Sequence, residues 1–516
     1  MRVLQELVAI ITKNKVRQID VIGNPEHKDT KVNQFYEGIA EAKFQTDQEA
    51  AEYFFNKSEK CSSYRNLKNT LKSRLINTVF FIDLKQPFYN DQQKAYYHCW
   101  KEWAAIKILS GKSAKVTSIE LSKKILPQAR KYEFTDLLVE IYRLLRTNAA
   151  TVSRDEKTFH QYNDQFNYYT KLWFAENKSE ELYCKLISLY NRGKVQNAVI
   201  HENAKTFYEE LVPMLQEFNS YKLHLCGRLI HMAIYMSIND YKNTIKACDE
   251  ALQFFEQKAY VSALALQTFL HQKLVCHTQL KEYEKGKAAA ERSNAIIQEG
   301  KFNWFKNLEI FLILSLHTHN YQKAYEIFDT VNTHKMLEFQ PKSMLEIWKI
   351  HEAYIHYLII LNKITPKEND KRFTKFRLGR FLNEVPSFSK EKRRKNIPIL
   401  IIQILFLILQ KRYNDAIDRI ERIDKYCYRY LRKDESFRSN CFIKMLLLIP
   451  LCNFHKAAVA RKADKFLKQL KASPLEIANQ SYEVEIIPYE YLWELALASL
   501  ENKFYKETKK GRLGGR

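Results

Sequence analysis

Histidine and cysteine side chains are the first candidates for chemistry in this sequence, because they bind metal ions and serve as nucleophiles or bases. His351 and His356 lie five residues apart in an apolar, helical stretch. Side chains with this spacing point about 140° away from each other, so these two do not bind one ion. Cys441, Cys452 and His455 lack an evident fourth zinc ligand. We therefore expect core cysteines and a surface histidine there.

No other combination of residues predicts catalysis or cofactor binding. His98 precedes Cys99 and Cys276 precedes His277, but neighbours on a helix point about 100° apart, a poor geometry for a nucleophile and its base. The sequence lacks the glycine-rich phosphate-binding loops and the G-x-S-x-G motif. Nine cysteines without a C-x-x-C pair favour reduced, buried thiols in a cytoplasmic protein. The sequence thus predicts a non-enzymatic protein without a metal or a cofactor.

The chain is strongly basic, with 83 Lys or Arg residues against 59 Asp or Glu and a net charge of +24 at pH 7. Such a charge is typical of proteins that bind an anionic partner, such as nucleic acid or a membrane surface. A lysine-rich and glycine-poor composition also follows from an AT-rich coding sequence, which would produce only a lysine-coated surface. The sequence leaves both interpretations open.

The densest basic segment is 363–396, in which Pro366 to Asn396 includes eleven Lys or Arg and four acidic residues. If this segment binds a polyanion, its cations neutralise phosphates and binding weakens steeply with salt. The alternative is a solvated linker between two blocks of repeats. The cations expected on the phosphates are Lys371, Arg372, Lys375, Arg377, Arg380, Lys392, Arg393, Arg394 and Lys395.

Long helices must position these residues, since the chain contains only 11 Gly and 11 Pro and turn-forming residues are therefore scarce. Thr46 to Glu49 and Ser153 to Glu156 have the capping-box pattern, which predicts a helix start at each. Ile397–Leu409 is apolar but shorter than the about 20 residues of a membrane span. We expect a fully buried helix there, and no membrane span.

An aromatic stripe is formed by Phe159, Tyr162, Phe166, Tyr169 and Trp173, which follow each other at steps of three and four residues. Aromatic faces stack nucleic-acid bases in some proteins. At this helical spacing, however, aromatic residues more commonly form a seam between packed helices. We expect a packing seam.

A short phrase recurs along the chain: a tyrosine, two polar residues and a small residue, just after an apolar helical stretch. It begins at Tyr241, Tyr283, Tyr321 and Tyr413, at steps of 42, 38 and 92 residues, the last being two steps of 46. Such a period indicates stacked helical hairpins, because each hairpin buries its apolar face against its neighbours. We expect the four tyrosines at hairpin elbows, largely buried against the preceding helix.

The hairpins resemble tetratricopeptide repeats, in which small or apolar residues follow the tyrosine position at fixed places in the second helix. The matching residues here are Ala416, Ile420 and Ile423 after Tyr413; Ala324, Phe328 and Val331 after Tyr321; and Thr244, Cys248 and Ala251 after Tyr241. A weaker match is Val195 with Ala198, so that the phrase covers about 190–430. The resemblance implies an α-solenoid with an interaction role.

The chain departs from the tetratricopeptide pattern in two respects. Its repeats of 38 to 46 residues are longer than the family's about 34. Large residues also replace the glycine that the family has midway along the first helix, and we expect them to separate the paired helices or to change their crossing angle. These residues are Met232, Leu274, Leu312 and Ile404.

The sequence as a whole predicts an all-α protein, an α-solenoid of stacked helical hairpins. The predicted function is a non-enzymatic scaffold that binds a protein or peptide through its helical-repeat surface. The alternative is a nucleic-acid-binding regulator that uses the basic surface around 363–396. The oligomeric state does not follow from the sequence. The expected organisation is an N-terminal helical region, 1–112; a helical repeat block, 113–362; a basic irregular segment, 363–396; C-terminal helical repeats, 397–503; and a disordered basic tail, 504–516.

Overall fold

The structure, a computed structural model, describes residues 30–80, 82, 90–191, 197–258, 260, 263–368, 393–430, 437–473 and 485–505, without the side chains of 393–396 and 424–430. In this described part, 80% of the residues are helical, no strand is present and neighbouring helices pack as consecutive hairpins. The prediction of an all-α solenoid is confirmed. The chain divides into two compact units, Met1–Asn177 and Lys178–Arg516.

Several helices of the first unit begin with a side-chain cap. Thr46 begins α2, since its side chain accepts a hydrogen bond from the backbone N–H of Glu49, as predicted. The second predicted helix start is also found, since a helix begins at Glu156, but Ser153 is not its cap. Ser153 ends a π-helical turn, and Asp155, nearer to the helix and an equally good cap, accepts a hydrogen bond from the N–H of Thr158. The helices are α1 (Lys31–Ala40), α2 (Asp47–Phe55), α3 (Ser62–Val79), α4 (Asp91–Gly111), α5 (Lys115–Lys131), α6 (Thr135–Asn148) and the start of α7 (Glu156–Asn191).

The aromatic stripe of α7 packs against α6. The ring of Tyr169 stacks on Tyr142 with 5.5 Å between the centroids, and the guanidinium of Arg146 lies 3.8 Å from the ring centroid of Phe166. The predicted packing seam is therefore confirmed for these two aromatic residues. It is wrong for Trp173, which is 44% exposed, because a straight helix turns about 20° away from a seven-residue repeat in each heptad.

The second unit is a series of helical hairpins followed by one further helix. Consecutive helices pack on each other from α8 to α15 and again from α16 to α19. The helices are α8 (Asn197–Glu217), α9 (Tyr221–Ser237), α10 (Tyr241–Glu256), α11 (Ala263–Gln279), α12 (Tyr283–Ile296), α13 (Phe302–His317), α14 (Tyr321–Asn332), α15 (Lys342–Ile360), α16 (Arg393–Leu409), α17 (Tyr413–Tyr430), α18 (Phe437–Leu451), α19 (Lys456–Ala472) and α20 (Tyr489–Ala498).

The recurring phrase marks the hairpin elbows. Each of its four tyrosines is the first residue of a second helix, namely of α10, α12, α14 or α17. Two residues earlier the backbone is left-handed, and the next N–H returns to a carbonyl of the first helix, as from Glu282 to His277 at 2.9 Å. This bond closes the first helix in the manner of a Schellman motif. The left-handed residues are Asn239, Lys281, His319 and Lys411, with φ between 55° and 62°.

The repeat tyrosines lie largely buried at the hairpin elbows. Tyr241, Tyr283, Tyr321 and Tyr413 are only partly exposed, and the last three pack against the hydrophobic core, as predicted. The small residue three places later is buried more deeply, because it lies about one helical turn further into the hairpin. These fully buried small residues are Thr244, Gly286, Ala324 and Ala416.

Helix α16 lies in the core of the second unit. Its residues from Ile397 to Ile408 are all buried, which confirms the prediction of a fully buried helix for this apolar run. A helix that is apolar all round needs such a position. None of the helices in the described part of the chain is long and apolar enough to cross a membrane.

Candidate protein-binding groove

An open apolar groove of about 460 Å³ lies on the first helices of the hairpins. Its walls come from α9, α11 and α13 and from the end of α7. Met232 and Met236 on α9 and Ile310 on α13 are partly exposed in it. The lining residues are Tyr183, Leu186, Ile187, Tyr190, Leu229, Met232, Ala233, Met236, Gln272, Val275, Glu309, Ile310 and Ile313.

The groove is lined by two methionines, Met232 and Met236, and by two polar residues, Gln272 and Glu309. Gln272 donates a hydrogen bond from Nε2 to Sδ of Met236 at 3.2 Å, which links α11 to α9. Glu309 is buried, and its Oε2 lies 2.8 Å from Nζ of Lys306. Because methionine side chains are flexible and polarisable, such a surface adapts to apolar side chains of different shapes.

Met232 occupies one of the positions at which tetratricopeptide repeats have glycine, and in this chain its side chain lines the groove. The other three residues at this position, Leu274, Leu312 and Ile404, are fully buried. The departures from the repeat pattern therefore fill the core in three hairpins and form part of the open surface in one.

The face of α13 that lines the groove continues into contact with the C-terminal segment. His317 lies four residues after Ile313, on the same side of the helix. Its Nε2 lies 2.7 Å from the backbone oxygen of Glu485. Burial lowers the pKa of His317 to about 4, so the neutral ring donates this hydrogen bond at pH 7.

Helix α20 packs against the hydrophobic core of the second unit. Leu492, Trp493 and Ala496 are buried within the same core cluster as α13, α15 and α18. The ring of Tyr489 stacks on Phe442 of α18 with 4.5 Å between the centroids. The apolar side of α20 thus covers this part of the hydrophobic core.

A buried ion triad anchors α20. The guanidinium of Arg438 on α18 donates to Oε1 of Glu485 at 2.6 Å and to Oε2 of Glu490 at 2.5 Å. Burial opposes the charge of Arg438, but the two carboxylates raise the pKa of the guanidinium above its ordinary value. Arg438 also donates to the backbone oxygens of Leu470 and Ser473. The C-terminal segment is therefore fixed to two other helices.

A second groove, of about 730 Å³, lies on the opposite side of α11, between α10 and α12. Its lining contains five Lys or Arg residues and two acidic residues, so its charges compensate each other only in part. Nζ of Lys273 lies 2.5 Å from Asp249, and Glu282 is within 2.9 Å of both Lys285 and His277. Burial lowers the pKa of His277. Lys242 and Lys246 also line the groove and form no ion pair with the described residues, so the groove keeps an excess of positive charge.

The cysteines and histidines singled out in the sequence are mostly core residues. Burial raises the pKa of the Cys276 thiol to about 12, which makes it a poor nucleophile at pH 7. Cys441 and Cys452 are buried, whereas His455 stacks on Phe504 at 4.2 Å between the centroids. Burial lowers the pKa of His351 to about 3. Within the described residues, no group of three or more His, Cys, Asp or Glu could hold a metal ion.

The basic residues predicted to bind a polyanion fall largely beyond what the structure describes. Lys371, Arg372, Lys375, Arg377, Arg380 and Lys392 lie outside the described residues. Arg393, Arg394 and Lys395 belong to the first turn of α16, but their side chains are not among those described. The polyanion site around 363–396 stays a prediction.

Comparisons of the chain with protein-family models, with curated proteins and with solved structures found no match.

Proposed function

We propose that this protein is a non-enzymatic scaffold that binds a partner protein or peptide in the open apolar groove of α7, α9, α11 and α13. The observation that carries the proposal is the open apolar groove itself, in which Met232, Met236 and Ile310 are partly exposed. The same unit already buries the apolar residues of α20 against its hairpins, and a further amphipathic helix suits the groove in the same way. The resemblance to tetratricopeptide repeats supports an interaction role by analogy.

The groove sets the chemistry of the partner. A volume of about 460 Å³ accommodates a few large apolar side chains. A helix presents such side chains at positions i, i+3 or i+4, and i+7 along one face. The partner therefore carries bulky apolar residues at this spacing, which is also the spacing of the buried residues Tyr489, Leu492 and Ala496 in α20.

Site-specific crosslinking tests the proposal. A photoreactive amino acid at Met232, in the groove, is expected to capture one partner protein from a nuclease-treated extract. The same amino acid at Leu264, which is exposed on α11 outside the groove, is the matched control. The substitution Ile310→Glu is expected to abolish capture at Met232, because it places a charge in the apolar surface.

Equal capture at Met232 and Leu264, or capture that Ile310→Glu leaves unchanged, would contradict binding in this groove. A partner that disappears when the extract is treated with nuclease would favour the nucleic-acid-binding alternative around 363–396.

A further inference from the structure

The exposed side of α19 is basic along its whole length. The helix carries six Lys or Arg residues and a single acidic residue, Asp464. In contrast, α12 of the same unit carries three Lys or Arg and two Glu. Charges of both signs are thus mixed on α12, whereas the charges of α19 are almost all positive.

The fold directs the cations of α19 outward. Val459, Ala463 and Leu470 are buried in the core cluster and define the inner side of the helix. The cations on the outer side are exposed, and they are Arg461, Lys462, Lys465, Lys468 and Lys471. From the first to the last they extend over about 15 Å at 1.5 Å per residue.

Four of these five cations are unpaired within the described part of the chain. Only Lys468 forms an ion pair, with Nζ 2.8 Å from Asp464. Like charges one turn apart repel each other, so Arg461 and Lys465 disfavour the isolated helix slightly. An anion that contacts several of these cations at once relieves that repulsion.

An aromatic pair lies at the start of the same helix. His455, the N-cap residue, stacks on Phe504 with an angle of 28° between the rings, and Phe504 is 63% exposed. Lys462 follows His455 by seven residues, which is about two turns along the same side of the helix. The N–H groups of Lys456 and Ala457 are already bonded to Glu501 and Asn502, so the helix end itself is closed to ligands.

We propose that the outer face of α19 binds the phosphate backbone of single-stranded nucleic acid, with a base stacked on Phe504. Lysines bind phosphates as point charges, and exposed aromatic rings stack bases with little sequence preference. An anionic membrane is disfavoured, because the exposed side of α19 carries no large apolar side chain that could enter a bilayer.

Binding of the full chain to a labelled, mixed-sequence single-stranded RNA of about 20 nucleotides tests the proposal, measured at about 50 and 200 mM salt. The site variant combines Arg461→Gln, Lys462→Gln, Lys465→Gln and Lys471→Gln. Its affinity is expected to fall roughly 100-fold at the lower salt, and the slope of log K against log salt to decrease by about 3, since each phosphate contact contributes about 0.7.

Two further quadruple variants separate this site from general charge. One combines Lys205→Gln, Lys301→Gln, Lys335→Gln and Lys342→Gln at exposed positions of the same unit; the other changes Lys392, Arg393, Arg394 and Lys395 to Gln. Both are expected to retain most of the wild-type affinity. In addition, Phe504→Ala is expected to weaken binding to the single strand about tenfold and to leave duplex RNA unaffected.

The proposal is overturned if the site variant binds like wild type or if the control at exposed positions loses as much affinity. It is also overturned if only the variant around Lys392 loses affinity, which would assign binding to the segment 363–396. Binding to phosphatidylserine vesicles but not to RNA would instead identify a membrane as the partner. Equal thermal midpoints of all variants, measured by circular dichroism, exclude unfolding as the cause.

Discussion

Thr244, Gly286, Ala324 and Ala416 occupy the same place in four hairpins, one turn after the tyrosine that begins the second helix. At Gly286 the space is filled by the neighbouring hairpin, since an added Cβ would lie 2.5 Å from Cδ2 of Leu314. Leu314 is fully buried and has little room to move. At the residue scale, close packing of hairpins therefore depends on the small residue.

Substitutions of the tyrosine and of the small residue of the phrase are expected to lower the free energy of unfolding by different amounts. Gly286→Val forces side-chain atoms into the space of Leu314, and overpacking of this kind costs about 1–3 kcal/mol. Tyr321→Ala removes a partly exposed ring and is expected to cost about 1 kcal/mol, below the 2–5 kcal/mol typical of fully buried large residues. Urea unfolding of the two variants measures the difference. A larger loss for Tyr321→Ala would show that the tyrosine dominates the elbow.

The ion triad of Arg438 is the element-scale feature that holds α20 in place. Arg438→Met leaves Glu485 buried without its partner, and breaking a buried pair in this way costs about 3–5 kcal/mol. Burial already raises the pKa of Glu485, so the carboxyl is expected to take up a proton in this variant. Adding Glu485→Gln should then recover part of the lost stability. Equal stability of the single variant and wild type, by urea unfolding, would contradict an anchoring role.

The helices were largely predictable from the sequence, whereas the position of α20 was not. Periodic apolar residues and the phrase at Tyr283 or Tyr321 report contacts between neighbours in the chain, and these contacts build the hairpins. The bond between His317 and Glu485 joins residues 168 apart, and no local pattern encodes such a contact. The groove was missed for the same reason, because residues such as Met232 and Ile310 have ordinary helical spacing and become one surface only after the hairpins stack.

The outer face of α19 shows another limit of prediction. Counting charges along the chain selected 363–396, because the net excess of positive charge is greatest there. In α19 the cations alternate with buried residues such as Val459 and Ala463, a pattern that is normal for a surface helix. Only the folded helix shows that its cations share one exposed side.

Four buried histidines make the stability of the whole molecule sensitive to acid. Burial lowers the pKa of His224, His317 and His356 to about 4 and of His351 to about 3. Their unfolded value is about 6.5, so the unfolded chain binds more protons between about pH 6.5 and 4. Stability conferred by neutral histidines is therefore complete above pH 6.5 and is lost as the pH falls through this window.

The expected loss of stability is about 1.4 kcal/mol per pH unit for each histidine. For the four together it is about 5 kcal/mol per pH unit near pH 5. His351→Leu tests this, because neither ring nitrogen of His351 has a hydrogen-bond partner among the described residues. Unfolding free energies measured at several pH values should show a slope lower by about 1.4 kcal/mol per unit. His160→Gln, at an exposed position, is the control. An unchanged slope in the His351 variant would contradict the assignment.

The C-terminal segment also has a consequence for how the chain folds during its synthesis. Hairpin arrays usually fold by local propagation, since each repeat contacts only its neighbours. Here Lys281 contacts Glu490, 209 residues later, and Lys411 contacts Glu501, 90 residues later. Pairings of this range slow folding. While the ribosome completes 485–505, the apolar surfaces of α13, α15 and α18 remain uncovered, so the nascent second unit is a natural client for chaperones until α20 docks.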